Sequence, residues 1–466
     1  MKILNFKATG VHDYLNFDIE FNENLNFIAG LNGSGKTTAL NLINLLLTPS
    51  IEELAKIRFE ALYLELFDKI NEYNLVVFCL QTEDKISLGT SESEEWMSVD
   101  RSEVLHSEDK TVTNRLRSNP VFKIIDSITP PMYLSLDRRF IQDTKPDEFN
   151  FRWMMSKPKD LVNDSDSSMK DALAIVSKKT AEAKEKQAAA DKRLRNKIIL
   201  DSFSASNGIN EQMPFPDKRV IYTLKSKQDT IKKTLKNLDF ETEEFESLLD
   251  SFFSNLTSLA KSALETLNTP PSNVHARSKS SATSRNKEID SIPPKKNEKK
   301  FYSEENSRVL AKWFVNSHQL SRINRLVKLI DEYEKEQIEI NSEIEKFTLL
   351  VNSFLEQTNK KITVTNRGEI KIFIASAERM LSVMSSGERQ ILIILAHLCL
   401  NASLPKNGIF IVDEPELSLH LAWQEMFVEA VQTASPELQI IFATHSPAII
   451  GGRNNFYIPL YKGFEQ

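Results

Sequence analysis

The octapeptide Gly30-Leu31-Asn32-Gly33-Ser34-Gly35-Lys36-Thr37 narrows what this chain can fold into more than any other feature. The apolar run Leu25-Asn26-Phe27-Ile28-Ala29 before it reads as a strand, and Thr38 to Leu46 after it carries helical apolar spacing. Strand, glycine turn and helix are the setting in which G-x-x-x-x-G-K-T forms a phosphate-binding P-loop. Gly30, Gly33 and Gly35 let the N–H groups of the loop, Asn32 and Ser34 among them, turn inward onto phosphate oxygens, and the helix N-terminus adds partial positive charge. Lys36 spans the outer phosphates, Thr37 offers its hydroxyl to Mg2+, and Thr38 continues the first turn at the phosphate end. The ligand class is therefore a nucleoside triphosphate with Mg2+, and the fold class is α/β.

A second run, Gly408-Ile409-Phe410-Ile411-Val412-Asp413-Glu414, is apolar until it ends in two carboxylates. Such a run suits a buried parallel strand that delivers acids to the phosphate end of a sheet. Asp413 is placed to hold Mg2+ and Glu414 to orient or deprotonate the attacking water, because phosphoryl transfer depends mostly on positioning and charge neutralisation.

Met384-Ser385-Ser386-Gly387-Glu388-Arg389-Gln390, followed by the apolar helix Ile391 to Leu400, resembles the ABC signature. In that family the Ser/Gly turn contacts the γ-phosphate of an ATP held by a partner's P-loop. The resemblance thus implies that Ser385, Ser386 and Gly387 act in trans and that the chain works as a homodimer or higher homo-oligomer. Ile440-Ile441-Phe442-Ala443-Thr444-His445 ends where ABC-type ATPases place a switch histidine, which makes His445 the expected γ-phosphate sensor. Gln142 stands where a Q-loop glutamine that senses Mg2+ is expected. The implied fold is an ABC-type P-loop ATPase head, a mixed sheet flanked by helices.

Residues 39 to 384 between P-loop and signature exceed what a transporter ATPase subunit carries. Inserted helical arms are instead the habit of SMC-like and OLD-like ATPases, and Glu414-Pro415-Glu416-Leu417-Ser418-Leu419-His420 is similar to the E-P-E-x-x-L-H form of the OLD branch. Apolar positions recur at spacings of four and three over Val220–Leu256 and again over Ile323–Phe354, which predicts a coiled-coil hairpin. Two amphipathic helices packed on a globular body would share that pattern. The expected division is residues 1–160 and 359–466 as the two parts of the head, with 161–358 as a helical insertion whose tip, 265–302, is rich in Pro, Ser and Lys.

Ala443 to Gly451 and Tyr133 to Phe140 resemble the stand-alone ATPase subunits of bacterial anti-phage systems such as PARIS and Septu. That resemblance implies a multimer that holds a separate nuclease or effector and answers a phage-encoded trigger. OLD proteins proper place a nuclease domain after the switch histidine, whereas Ser446 to Gln466 is too short for one. The alternative is an SMC/RecF-like repair or chromosome-maintenance ATPase that binds DNA directly. A net charge of -6 does not favour DNA as a general partner, and the basic runs near Lys184 and Lys192 are interleaved with Glu182, Glu185 and Asp191. With two cysteines, Cys79 and Cys399, no disulfide framework is available, and no segment has the length and apolarity of a membrane span or signal peptide. A cytoplasmic ATPase with no membrane partner is the expectation.

Overall fold

The computed structural model describes residues 1–48, 50–69, 71–106, 116, 118–134, 140–141, 167–203, 215–237, 243–268, 304–402 and 407–460. The chain opens with β1 (Lys2–Val11), β2 (Leu15–Glu20) and β3 (Leu25–Ala29), passes through α1 (Lys36–Leu47) and α2 (Ile51–Lys56), and forms β4 (Ala61–Asp68), β5 (Tyr73–Gln81), β6 (Lys85–Thr90) and β7 (Met97–Asp100). Two short helices, α3 (Arg101–His106) and α4 (Pro120–Ser127), lead to β8 (Met132–Leu134) and β9 (Phe140–Ile141). Long helices follow, α5 (Ser167–Phe203), α6 (Lys218–Asn237), α7 (Glu243–Asn268) and α8 (Glu304–Leu355), and then β10 (Lys360–Val364), β11 (Ile370–Ile374) and β12 (Ala377–Arg379). The last stretch is α9 (Ser386–Leu400), β13 (Ile409–Asp413), α10 (Leu421–Ala434), β14 (Gln439–Ala443), α11 (Pro447–Ile450) and β15 (Tyr457–Pro459). The chain divides into two compact units, Met1–Ala183 with Asn341–Gln466, and Lys184–Ile340.

The first unit is α/β and centres on a six-stranded sheet in the order β15-β3-β14-β13-β8-β9. Its neighbours are parallel except β8 and β9. Every residue of β3, β13 and β14 is buried, as a parallel sheet covered on both faces requires. Alternation along the strands splits the packing in two. Ile28, Ile409, Ile411 and Ile441 join α1 and the antiparallel sheet β2-β1-β4-β5-β6-β7 in one core. Phe27, Phe410, Val412 and Phe442 join α9 and α10 in the other. Phe442 lies 5.7 Å from Phe27 and 5.8 Å from Phe427, ring centre to ring centre. Phe442→Ala is expected to cost about 3–5 kcal/mol in chemical denaturation, because a fully buried ring leaves a cavity between sheet and helix.

Asn366-Arg367-Gly368 turns the chain from β10 into β11, an antiparallel hairpin to which β12 adds a third strand. Gly368 adopts φ +76, and a Cβ there would stand 2.6 Å from the Ser177 backbone, so the turn lies directly on α5.

The insertion departs from expectation at two points. Its compact part is shorter than 161–358, because Met169, Ala172 and Val176 of α5 and Phe347, Val351 and Phe354 of α8 belong to the α9–α10 core of the first unit. The predicted arm over Val220–Leu256 is not one helix but two, α6 and α7, packed together through Leu224, Ile231, Phe253 and Leu256. Lys232 reaches Asp250 at 2.6 Å between them. Within the second unit, α8 runs beside α5. Tyr333 donates to Asp191 at 2.7 Å, Arg325 to Asp201 at 2.9 Å, and Arg193 pairs with Glu336, so the two helices are antiparallel. The seam of α5 escapes a heptad count because alanines make up much of it, with Ala183 and Ala190 buried beside Leu194. The 265–302 tip lies almost wholly outside the described residues. Among the described residues no helix is long and apolar enough to cross a membrane.

Candidate functional site

Parallel order brings the C-terminal ends of β3, β14 and β13 side by side, and the loop after each carries one part of the site. Register makes Ile28, Ala443 and Asp413 neighbours across the three strands, so Gly30–Thr37, Thr444–His445 and Asp413–Glu414 emerge together. The P-loop turn depends on Gly35, whose φ is +90 and where a Cβ would meet the Phe17 ring at 2.8 Å. Leucine or alanine at that position would strain the backbone and clash with β2. The residues after β15 close the other side: the Leu460 N–H donates to the Ala29 carbonyl at 2.8 Å.

Lys36 is buried and donates to the Gly30 carbonyl at 3.1 Å, while its amine also touches Nε2 of His445. Burial lowers its pKa, and Glu414, Asp413 and Glu416 oppose that shift, so the ammonium is surrounded by three carboxylates. His445 Nε2 stands 4.0 Å from Glu414 Oε1. Glu414 adopts φ +47, a left-handed conformation costly for a side chain with a Cβ, while its N–H still donates to the Ala443 carbonyl at 2.9 Å. Strain at a residue fixed by its neighbours on both sides is typical of functional turns.

Asp413 has the clearest deficit. Its carboxylate is buried and, among the described residues, neither oxygen meets a donor at hydrogen-bonding geometry, though the Thr37 hydroxyl is near enough to favour its charge. Burial pushes its pKa from 3.8 up to about 6; Thr37 and Lys36 oppose the rise, and Glu414 and Glu416 add to it. A buried acid without a partner, next to a threonine hydroxyl, fits a divalent cation that takes its other ligands from water and phosphate, as Mg2+ does. Accordingly, among the described residues no cluster of three or more His, Cys, Asp or Glu could hold a metal on protein ligands alone.

The folded pKa of Asp413 lies above its ordinary value, so the protonated acid supports the fold fully below about pH 4, and that support is lost as pH rises through about 6. Without nucleotide or Mg2+, the melting temperature of Asp413→Asn is expected to exceed that of the wild type at pH 7, and the gap should close toward pH 4. The difference amounts to roughly 2 kcal/mol after allowance for solvent at the cleft. Equal pH dependence in the two proteins would contradict this assignment.

Glu416 and Gln424 belong to the same arrangement, although sequence reasoning did not place them in the site. Glu416 Oε1 accepts from the Thr444 hydroxyl at 2.9 Å and from the His445 N–H at 2.6 Å. Gln424 accepts from the Ser446 hydroxyl at 2.6 Å and donates to the Leu419 carbonyl at 2.9 Å. Together they tie the turn after β13 to the turn after β14. The Glu-Pro-Glu spacing was the available signal, but its second acid has no phosphate-binding reason to be there until the strands are placed side by side.

Ser385 is the N-cap of α9 and forms a capping box with Glu388. No hydrogen bond joins Ser385, Ser386 or Gly387 to the Gly30–Thr37 loop among the described residues. The structure therefore assembles Lys36, Thr37, Asp413, Glu414 and His445 in one cleft and leaves the signature turn apart from it. Gln142 lies outside the described residues.

Several known proteins are similar to this chain. The Retron Vc95 probable ATPase of Vibrio cholerae serotype O1 biovar El Tor is 34% identical over 88 residues, 19% of this chain and 17% of that protein. The match thus spans about a sixth of that relative's length. Among solved structures, the Smc head domain of Pyrococcus furiosus with an extended coiled coil, bound to the C-terminal domain of ScpA, is 13% identical with a TM-score of 0.36, over 97% of this chain and 91% of that one. The Smc head domain of Pyrococcus yayanosii with a coiled coil and joint is 12% identical with a TM-score of 0.34, over 97% and 93%. The profile of the family described as AAA ATPase domain matches residues 1–450, from the first strand past the turn that carries His445, and the chain belongs to that family.

Proposed function

We propose that this ATPase domain binds ATP with Mg2+ on the Gly30–Thr37 loop and hydrolyses it as the ATPase subunit of an anti-phage complex. The observation that carries the enzymatic part is the convergence of Lys36, an unpartnered buried Asp413, Glu414 and His445 at the ends of three adjacent parallel strands. Lys36 holds the outer phosphates, and Thr37 and Asp413 would hold Mg2+, which would neutralise phosphate charge. Glu414 orients the attacking water and takes its proton, and His445 reads the γ-phosphate.

The defence role rests on the partial likeness to the retron ATPase together with the resemblance of Ala443–Gly451 and Tyr133–Phe140 to anti-phage ATPase subunits. In that reading two copies share each ATP, with Ser385–Gly387 of one facing the P-loop of the other, and the assembly holds a separate nuclease or effector. The test is phage plating on cells expressing the chain with its neighbouring genes, wild type against Glu414→Gln, alongside Mg2+-dependent phosphate release by the purified chain. Protection and phosphate release lost together support the reading. Protection by the inactive chain would remove hydrolysis from the role, and a chain that releases no phosphate with any partner present would end it.

A further inference from the structure

The carboxylate of Glu388, one turn into α9, is almost fully buried and accepts from three donors on two segments. Its Oε2 takes the Ser385 N–H at 2.7 Å and the Lys360 ammonium at 2.8 Å; its Oε1 takes the Thr358 hydroxyl at 2.9 Å. Burial alone would raise its pKa, but Lys360, the Ser385 N–H and Thr358 outweigh it and hold the acid below its ordinary value. An ordinary capping box needs only the two reciprocal bonds between N-cap and N3. Here two more donors are brought in from the end of another helix.

Those donors are the residues that follow α8. Thr358 Oγ1 also reaches the Leu355 carbonyl, the last of α8, at 3.0 Å, and Lys360 Nζ also donates to the Val383 carbonyl at 3.1 Å, just before the signature turn. Between them Asn359 adopts φ 54, a left-handed conformation, as the chain turns from the 3-10 turn Glu356–Thr358 into β10. Upstream, Phe354 is buried edge-on against Trp423 of α10 at 5.7 Å, so the end of α8 is fixed in the core. The same α8 carries the chain back from the helical unit.

We infer that Glu388 is a positioning residue that ties the end of α8 to the Ser385–Gly387 turn, so that turnover depends on Lys360 and Thr358, which are bonded to the signature and to no P-loop residue. This inference rests on the ATPase reading and adds a route by which the end of α8 sets the competence of the signature. Displacement of the α8 end would withdraw Thr358 and Lys360 from Glu388 and loosen Ser385 without disturbing the P-loop cleft.

The test is steady-state phosphate release by the full chain with Mg-ATP, read as kcat and KM separately, with melting temperature recorded for each protein. Lys360→Met is expected to lower kcat about tenfold with KM within about twofold of wild type, because the P-loop site is untouched, and Lys360→Arg should recover most of kcat. Thr358→Val leaves the Lys360–Glu388 ion pair in place and removes the hydroxyl that Glu388 and the Leu355 carbonyl share, so it should lower kcat about threefold even if Lys360→Met folds poorly. Unchanged kcat in both, with only the melting temperature reduced, would overturn the inference and leave Glu388 a fold cap. KM rising in step with falling kcat would overturn it as general damage. A wild-type chain without phosphate release would instead overturn the ATPase reading, and this inference with it.

Discussion

Replacing Glu414 by glutamine is expected to cut phosphate release about a hundredfold or more while ATP remains bound, the usual range for losing a positioned general base. The substitution keeps the shape of the side chain and its place at the end of β13, where φ +47 and the bond to the Ala443 carbonyl fix the backbone. What it removes is the proton-accepting charge beside His445 and Lys36. It also relieves repulsion between Glu414 and the buried Asp413, and between Glu414 and an incoming triphosphate. Binding of ATP should therefore be at least as tight as in the wild type. The measurement is phosphate release alongside native mass with ATP and Mg2+. A mutant with ATP trapped and turnover gone agrees with the assignment, and one that keeps a tenth or more of wild-type turnover assigns the base elsewhere.

Lys36→Met is expected to act at the preceding step. Its ammonium is the cation in the cleft around which Asp413, Glu414 and Glu416 are gathered, and it is already desolvated, so no water need be stripped from it when phosphate arrives. Loss of a charge-assisted bond of this kind costs about 2 kcal/mol, close to a thirtyfold loss of affinity. The removal also leaves three carboxylates facing the phosphates without compensation, so thirtyfold is the lower bound of the expected loss. Titration with a fluorescent ATP analogue measures it directly. Near-normal affinity in Lys36→Met would place the nucleotide elsewhere. The two substitutions thus separate binding from chemistry: one abolishes turnover with ATP held, the other prevents ATP from being held.

Legibility of the site differed by residue, for reasons of distance along the chain. Lys36 and Thr37 belong to a motif whose geometry is local: a strand, a turn that needs positive φ at Gly33 and Gly35, and a helix N-terminus, all within a dozen residues. Asp413, Glu414 and His445 could be read because each closes an apolar run, and a run buried on both faces must end where a parallel sheet ends. Glu416, Gln424, Thr358 and Lys360 could not, because each acts through a residue that becomes its neighbour only when strands or helices meet. Glu388 stands within the signature motif, but its partners Thr358 and Lys360 lie about thirty residues away.

The helical unit shows the same limit. Apolar spacing at 3.5 residues identifies a surface that must be buried, and the Ile323–Phe354 seam is buried, in two different cores. Spacing does not name the partner. Alanine-rich α5, with little periodic contrast, is the antiparallel neighbour of α8, while the stronger Val220–Leu256 pattern divides into α6, which also meets α8 through Lys227–Asn324 and Thr234–Glu334, and α7. The sequence by itself determined the phosphate loop, the buried parallel strands and the acids at their ends, since backbone conformation and burial of short segments decide those. Only the tertiary structure decided which helix pairs with α8, which carboxylate supports His445 and how the signature turn is held, because each of these is a contact between segments far apart in the chain, and local propensity carries no information about it.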